Sequence, residues 1–181
     1  MFDINIAIRV ETSADYPITE NVVKAAFADV EISDKKEHEL VARIRRSDAF
    51  VPEFSMVAVD NDRNEIVGHI LLSKITIAND VQSTPSLALA PLSVLPEYQL
   101  KGIGSLLMRE VLHRAKETGF SSVIVLGHPG YYPKFGFKPA SHWGIKAPFE
   151  VSDDVFMALE LEGNALDGVT GVVRYSRAFF E

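Results

Sequence analysis

The stretch from residue 86 to 126 constrains the fold most. A strand-like run broken by a proline, a turn with two glycines, an amphipathic helix and a short apolar run follow one another without a gap. Pro91 interrupts the run at residues 86–94. Proline has no ladder donor, so it predicts a bulge or a point where sheet pairing ends, and backbone groups there are left free to meet a ligand. In the helix predicted over residues 103–117, Ile103, Leu106, Leu107, Val111 and Ala115 form one stripe, Glu110 and Arg114 stand four apart as a favourable pair, and Gly119 is a stop. Residues 122–126 are nearly all apolar, the pattern of a strand covered on both sides. Strand, helix and strand in this order predict a right-handed parallel crossover.

Around this unit the chain reads as follows. Residues 4–10 predict a first strand near a sheet edge. Thr12, Ser13 and Asp15 offer N-cap oxygens and Pro17 suits a first helical turn, after which Val22, Val23, Ala26 and Phe27 form an apolar stripe. Asp34, with Glu37 three residues on, predicts a capping box for a second helix whose Leu40, Val41 and Ile44 point inward. Lys35, Lys36, Arg43, Arg45 and Arg46 are expected on its solvated face. Residues 54–59 and 66–77 flank the polar cluster 60–64 and predict an antiparallel hairpin. Gly127, Pro129, Gly130 and Pro133 predict an irregular segment, and residues 155–161 a late strand. This is an α/β order with an antiparallel front half. With 181 residues and neither repeat nor linker, one domain over 1–181 is expected.

Charge narrows the partners. Eighteen basic residues against 25 acidic ones leave −7, which disfavours nucleic acid and anionic membranes, since both are met by a basic footprint. Cysteine is absent, so neither disulfides nor thiolate metal sites are available, and no metal is expected. No apolar run approaches the roughly 20 residues that cross a bilayer. Asp3 precedes the first apolar run, unlike a secretory signal, and a cytoplasmic location is the expectation.

Gln99-Leu100-Lys101-Gly102-Ile103-Gly104 sits where the strand meets the strong helix. Without side chains at Gly102 and Gly104 the chain can turn tightly, and a phosphate can approach the unpaired N–H groups of the helix start. The plainer alternative is that the glycines serve only the turn and helix packing. A P-loop needs lysine directly before Ser or Thr, but Ile103-Gly104-Ser105 stands here and Lys101 comes too early. A dinucleotide fingerprint needs a third glycine, where Leu107 stands.

With this turn directly after a strand that ends near a proline (PLSVLPEY, then QLKGIG), the chain resembles the GCN5-related N-acetyltransferase (GNAT) superfamily, and within it small bacterial acetyltransferases of the YhbS kind. A second stretch, Val125-Leu126-Gly127-His128-Pro129-Gly130-Tyr131-Tyr132-Pro133-Lys134-Phe135-Gly136-Phe137, extends the resemblance, which covers residues 4–162. It implies a mixed, mostly antiparallel sheet with a central parallel pair splayed at the cofactor site and helices on both faces. It also implies acetyl-CoA as co-substrate. The amides from Leu100 to Ser105 (Leu100, Lys101, Gly102, Ile103, Gly104 and Ser105, after Gln99) would hold the pyrophosphate. The main chain of Leu92, Ser93 and Val94 would pair with the pantetheine arm.

Acyl transfer to an amine asks for a neutral amine, a polarised carbonyl and a proton for the departing thiolate. In the family that proton commonly comes from a tyrosine four residues before a Gly-Phe pair, which is Tyr132 here, with Tyr131 as the alternative. Pro133 predicts that Tyr132 avoids helical geometry. Many members carry a glutamate on the strand before the turn, yet residues 87–94 hold no acid, and Ser93 is the only side chain there able to orient a water. His128 is a candidate base because histidine titrates near neutrality. His69 is expected either to line the acceptor cleft or to sit half-buried, and Glu97 to lie on the surface.

Nothing identifies the acceptor beyond a small-molecule or exposed protein amine. Residues 141–149, with His142, Trp143 and Phe149, are expected near its site, and Phe179 and Phe180 predict packing on the domain or on a second subunit of a homodimer. A non-catalytic acyl-CoA binding or sensing module would keep the turn without needing Tyr132. A structural protein would carry the turn by coincidence.

Overall fold

The computed structural model describes residues 4–181. Asp3, on which the leader reading partly rests, lies outside the described residues. Among the described residues a nine-stranded mixed sheet carries three α-helices. The strands are β1 (Ile6–Val10), β2 (Phe50–Asp60), β3 (Glu65–Ala78), β4 (Ser83–Val94), β5 (Ser122–Leu126), β6 (Lys138–Pro139), β7 (Ile145–Lys146), β8 (Phe156–Glu160) and β9 (Gly171–Arg174). The main path is β1-β2-β3-β4-β5-β8-β6, and β9 pairs with β3 and β7. The expected hairpin is β2–β3, and β1 is an edge strand as expected. The short β6 and β7, and β9, were not anticipated. All three are two to four residues long and are held by partners far away in sequence.

The helices are α1 (Tyr16–Phe27), α2 (Glu37–Arg45) and α3 (Ile103–Glu117). They cover both faces because β-strand side chains alternate. Met56, Ala58, Ile70, Leu72, Leu87 and Leu89 meet Leu107, Met108 and Val111 of α3. On the opposite face Leu71 meets Val23 of α1 and Val41 and Ile44 of α2. β4 and β5 are parallel, joined by α3 as the crossover.

Two local expectations are corrected. The Asp34–Glu37 capping box does not form: Asp34 Oδ1 accepts from the Lys36 amide at 2.8 Å, while the Ser33 hydroxyl donates to the Glu37 carboxylate at 2.6 Å. Nor do the basic residues of this region all face water. Lys35 and Lys36 are exposed as expected, but Arg43 Nε donates to the Ala178 carbonyl at 2.8 Å. The Arg45 side chain is only 5% exposed, with Nη2 2.6 Å from Glu11 and its guanidinium 3.9 Å from the Tyr16 ring centre. Charge on a helix face is normally solvated. Here a buried partner from β1's end overrides that rule.

Candidate active site

Pro91 does what its chemistry predicts. Between Ile70↔Leu92 and Leu72↔Leu89, β4 uses one residue more than β3, a bulge over Ala90 and Pro91. Before it, β4 pairs with β5 as far as Leu89↔Val125; after it, Leu92 to Val94 pair only with β3. Meanwhile β5 continues along β8 to Leu126↔Phe156, and the Gly127 amide donates to the Val155 carbonyl. The two parallel strands therefore part. Alternate N–H and C=O groups of residues 92–94 face an open edge, a ready partner for an extended chain.

The glycine turn closes one end of this gap. Gly102, φ +84, caps α3 in the left-handed region, and a Cβ placed there would meet open space. Leu100, φ 62, is left-handed too and fully exposed. The first bond inside α3 runs from the Leu106 amide to the Gly102 carbonyl at 3.1 Å, so the amides of Ile103, Gly104 and Ser105 precede it. These amides and the helix dipole favour an anion. A cavity of about 420 Å³ opens here, walled by Leu92, Val94, Gln99, Gly102, Tyr131 and Lys134 among others. Gln99 Nε2 donates to the Val94 carbonyl at 3.0 Å, tying turn to strand. Tyr98 braces it from below, its hydroxyl donating to Asp60 Oδ2 at 2.8 Å and holding that carboxyl below its ordinary range.

Sequence reasoning missed Lys134. Its ammonium stands 4.1 Å from the Tyr131 ring centre at the wall of this cavity. The signal was weak: one lysine in an irregular segment.

Tyr131 and Tyr132 separate along the gap. The Tyr131 hydroxyl lies over the start of α3, only 2.9 Å from where a Gly104 Cβ would stand. The Tyr132 ring packs closely against Gly127, where a Cβ would come within 2.3 Å of it, at the end of β5. Glycine at 127 is thus required by close approach. Contrary to expectation, Tyr132 opens a helical turn, the 3-10 segment Tyr132–Phe135. Pro133 is tolerated at its second position because the first amides of such a turn need no partner. Burial pushes the Tyr132 phenol up to about 12, so it is protonated at neutral pH.

The candidate bases fall in different surroundings. His128 is exposed, and its Nδ1 accepts the Gly130 amide at 3.0 Å. The lone pair a base would use is engaged. Ser93 is 1% exposed, on the side of β4 away from α3, opposite His69 in register. Its Oγ has no partner among the described residues, and neither does Nδ1 of His69.

His69 is wholly buried rather than half-buried. Ser55 Oγ donates to Glu11 Oε1 at 2.7 Å, so its lone pair accepts from His69 Nε2 at 2.9 Å, which assigns the proton to Nε2. Burial lowers the ring from 6.5 to about 4, against the pull of Glu11 and with help from Arg45. So low a value suits a structural histidine, not a base at neutral pH. The unfolded chain takes up the extra proton first on acidification, so this contribution to stability is complete above pH 6.5 and lost as pH falls toward 4. By pH 5 the loss should reach about 2 kcal/mol. Urea unfolding at pH 7.5 and 5 should show it, and His69→Gln should flatten the difference. An equal pH response in wild type and variant would remove His69 as its source.

Comparison with known proteins agrees with this geometry. The model of the acetyltransferase (GNAT) family matches residues 21–137. Escherichia coli K12 YhbS, an uncharacterized N-acetyltransferase, is 31% identical over 173 residues, 95% of this chain and 97% of the relative. The structure of E. coli YhbS in complex with CoA superposes with TM-score 0.86 at 28% identity, over 100% of this chain and 95% of that one. A Brucella melitensis GNAT acetyltransferase in complex with acetyl-CoA gives TM-score 0.77 at 32% identity, over 98% and 99%. Turn, parted strands, family match and full-length relatives coincide, and the chain belongs to the GNAT family of acetyltransferases.

Proposed function

We infer that the chain moves the acetyl group of acetyl-CoA to a primary amine by direct attack in a ternary complex. The observation that carries this is the open β4 edge lying between the glycine turn and Tyr132. The residues fit the coenzyme: a glycine whose Cβ would enter open space, three amides ahead of the first helical bond, and a strand edge at residues 92–94 that no second strand covers. The coenzyme supplies an acyl thioester. The amides at 100–105 hold its pyrophosphate, with Lys134 adding a positive charge, and the main chain of Leu92 to Val94 pairs with its pantetheine arm. Tyr132 gives its phenolic proton to the departing sulfur as the amine nitrogen bonds to the carbonyl carbon and the C–S bond breaks; the nitrogen, now an amide, releases its surplus proton to water, and water returns a proton to Tyr132.

Without cysteine the chain lacks its most capable nucleophile for a covalent relay. Initial rates with both substrates varied should give intersecting lines. Parallel lines with an isolable acetyl-protein would refute direct transfer, and thiol release without acetylated amine would leave only hydrolysis.

A further inference from the structure

We propose that the acceptor is a small amine bearing an aromatic or bulky apolar group, bound in an aromatic-walled cavity on the sheet face opposite α3. There, desolvation favours the neutral amine, so the ammonium proton passes to bulk water on binding and no protein base is required. The proposal rests on the acyl-transfer reading above and names the substrate class of that same site.

The cavity measures about 270 Å³. Its floor includes Ala90 of β4 and Leu126 of β5, the residues directly beyond the last parallel pair, Leu89↔Val125. The glycine-turn cavity meets β4 at Leu92 and Val94, which pack toward α3, whereas Ala88 and Ile124 pack on the other face. The parted strands are thus a common wall. A thioester held in the gap from the turn side faces this cavity from behind.

Its remaining walls are Leu40 of α2 and the aromatic rings of Phe149, Tyr175, Phe179 and Phe180. Tyr175 stacks on Phe149 at 6.2 Å and 21° and touches Phe179 at 4.9 Å. Phe149 is 42% exposed and Phe180 68%. Phe179 packs on the domain as the sequence suggested, while Phe180 keeps an aromatic face open to a ligand. No charged side chain lines the cavity among the described residues, and burial pushes the Tyr175 phenol up to about 12, so it is neutral as well. Glu150 and Asp153 line a neighbouring cavity beyond Phe149.

A polyamine or an amino acid finds no counter-charge in such a lining, and its polar groups would be stranded. An arylalkylamine finds ring contacts. Alkylamines are protonated in water, as lysine's value of about 10.4 shows, but an apolar site disfavours the charged form and lowers that value. Binding of the apolar group then delivers a neutral nucleophile. This accounts for a site with no acid at residues 87–94 and an engaged lone pair on His128.

The test pairs binding with turnover. 2-Phenylethylamine and 1,4-diaminobutane are titrated into the protein saturated with CoA, then assayed with acetyl-CoA. The aryl amine should bind at least tenfold tighter and be acetylated with about 100-fold higher kcat/KM. Phe180→Ala and Phe149→Ala, both at exposed positions, should raise its KM about tenfold and leave the KM for acetyl-CoA unchanged. The acid limb of kcat should move with the amine when the β,β-difluoro analogue, a more acidic ammonium, is used. Preference for the diamine, or a limb fixed whichever amine is used, would overturn the proposal. So would better acetylation of a peptide with N-terminal Phe, or a dimer that Phe180→Ala dissolves. Aryl amine binding without transfer would uphold the cavity assignment and sink the acyl-transfer reading instead.

Discussion

Tyr132→Phe should lower kcat about a hundredfold and leave affinity for acetyl-CoA within about twofold, because a positioned general acid contributes on the order of 10²–10⁴. Only the hydroxyl is removed. The ring's contacts with Gly127 and Phe137 persist, so the fold and the gap beside it are kept. Burial that raises the phenol to about 12 also keeps it protonated through the neutral range. Tyr131→Phe is the control: its hydroxyl lies over Gly104 at the phosphate end, and kcat should change little. Steady-state rates with calorimetric binding of acetyl-CoA separate the two. A kcat within about threefold of wild type for Tyr132→Phe would hand the proton to water.

Gly102→Val should weaken acetyl-CoA binding by more than about a hundredfold. Two effects act together, and they can be separated. At φ +84 any L-residue is strained, by roughly 1–2 kcal/mol. The added Cβ would also point into open space on the side where the pyrophosphate is proposed to lie. Gly102→Ala carries the same backbone strain with little bulk, and should lose only about tenfold in affinity. Both variants should unfold a few degrees lower, since about 1 kcal/mol moves Tm by roughly 2–4 °C at this size. Equal losses in Ala and Val would attribute the effect to strain, and unchanged affinity in a folded Val variant would remove the turn from the binding site.

The unit from β4 to β5 was legible in sequence because its signals are local. Pro91 removes a donor wherever it stands, Gly102 permits a left-handed residue, and the α3 stripe repeats at the helical period. The same logic failed at Asp34, where Ser33 one residue earlier competed for Glu37. It failed at Pro133 as well, because a proline that disfavours an α-helix is compatible with the first positions of a 3-10 turn.

Burial of charge was not legible. Arg45 reads as surface from its own helix, and its burial is made favourable by Glu11, 34 residues away, together with Glu20 and the Tyr16 ring of α1. His69 follows from that pair: once Glu11 is taken by Arg45 and Ser55, the ring is left neutral in a closed interior. The aromatic-walled cavity has the same origin, since its aromatic wall comes from Phe149 and the 175–180 segment, which Arg43 fastens to α2 through Ala178 across 135 residues.

By itself, then, the sequence determined the crossover, the glycine turn at the start of α3 and the break in β4, all of which rest on neighbours within a few residues, and it pointed to the family through two such local motifs. Only the tertiary structure decided how far β4 and β5 part, which tyrosine stands at which end of the gap, and what covers the far face. Hydrophobic period and turn chemistry report which side of an element is apolar and where the chain bends. What meets that side is set by residues distant in the chain, and no local pattern encodes their distance.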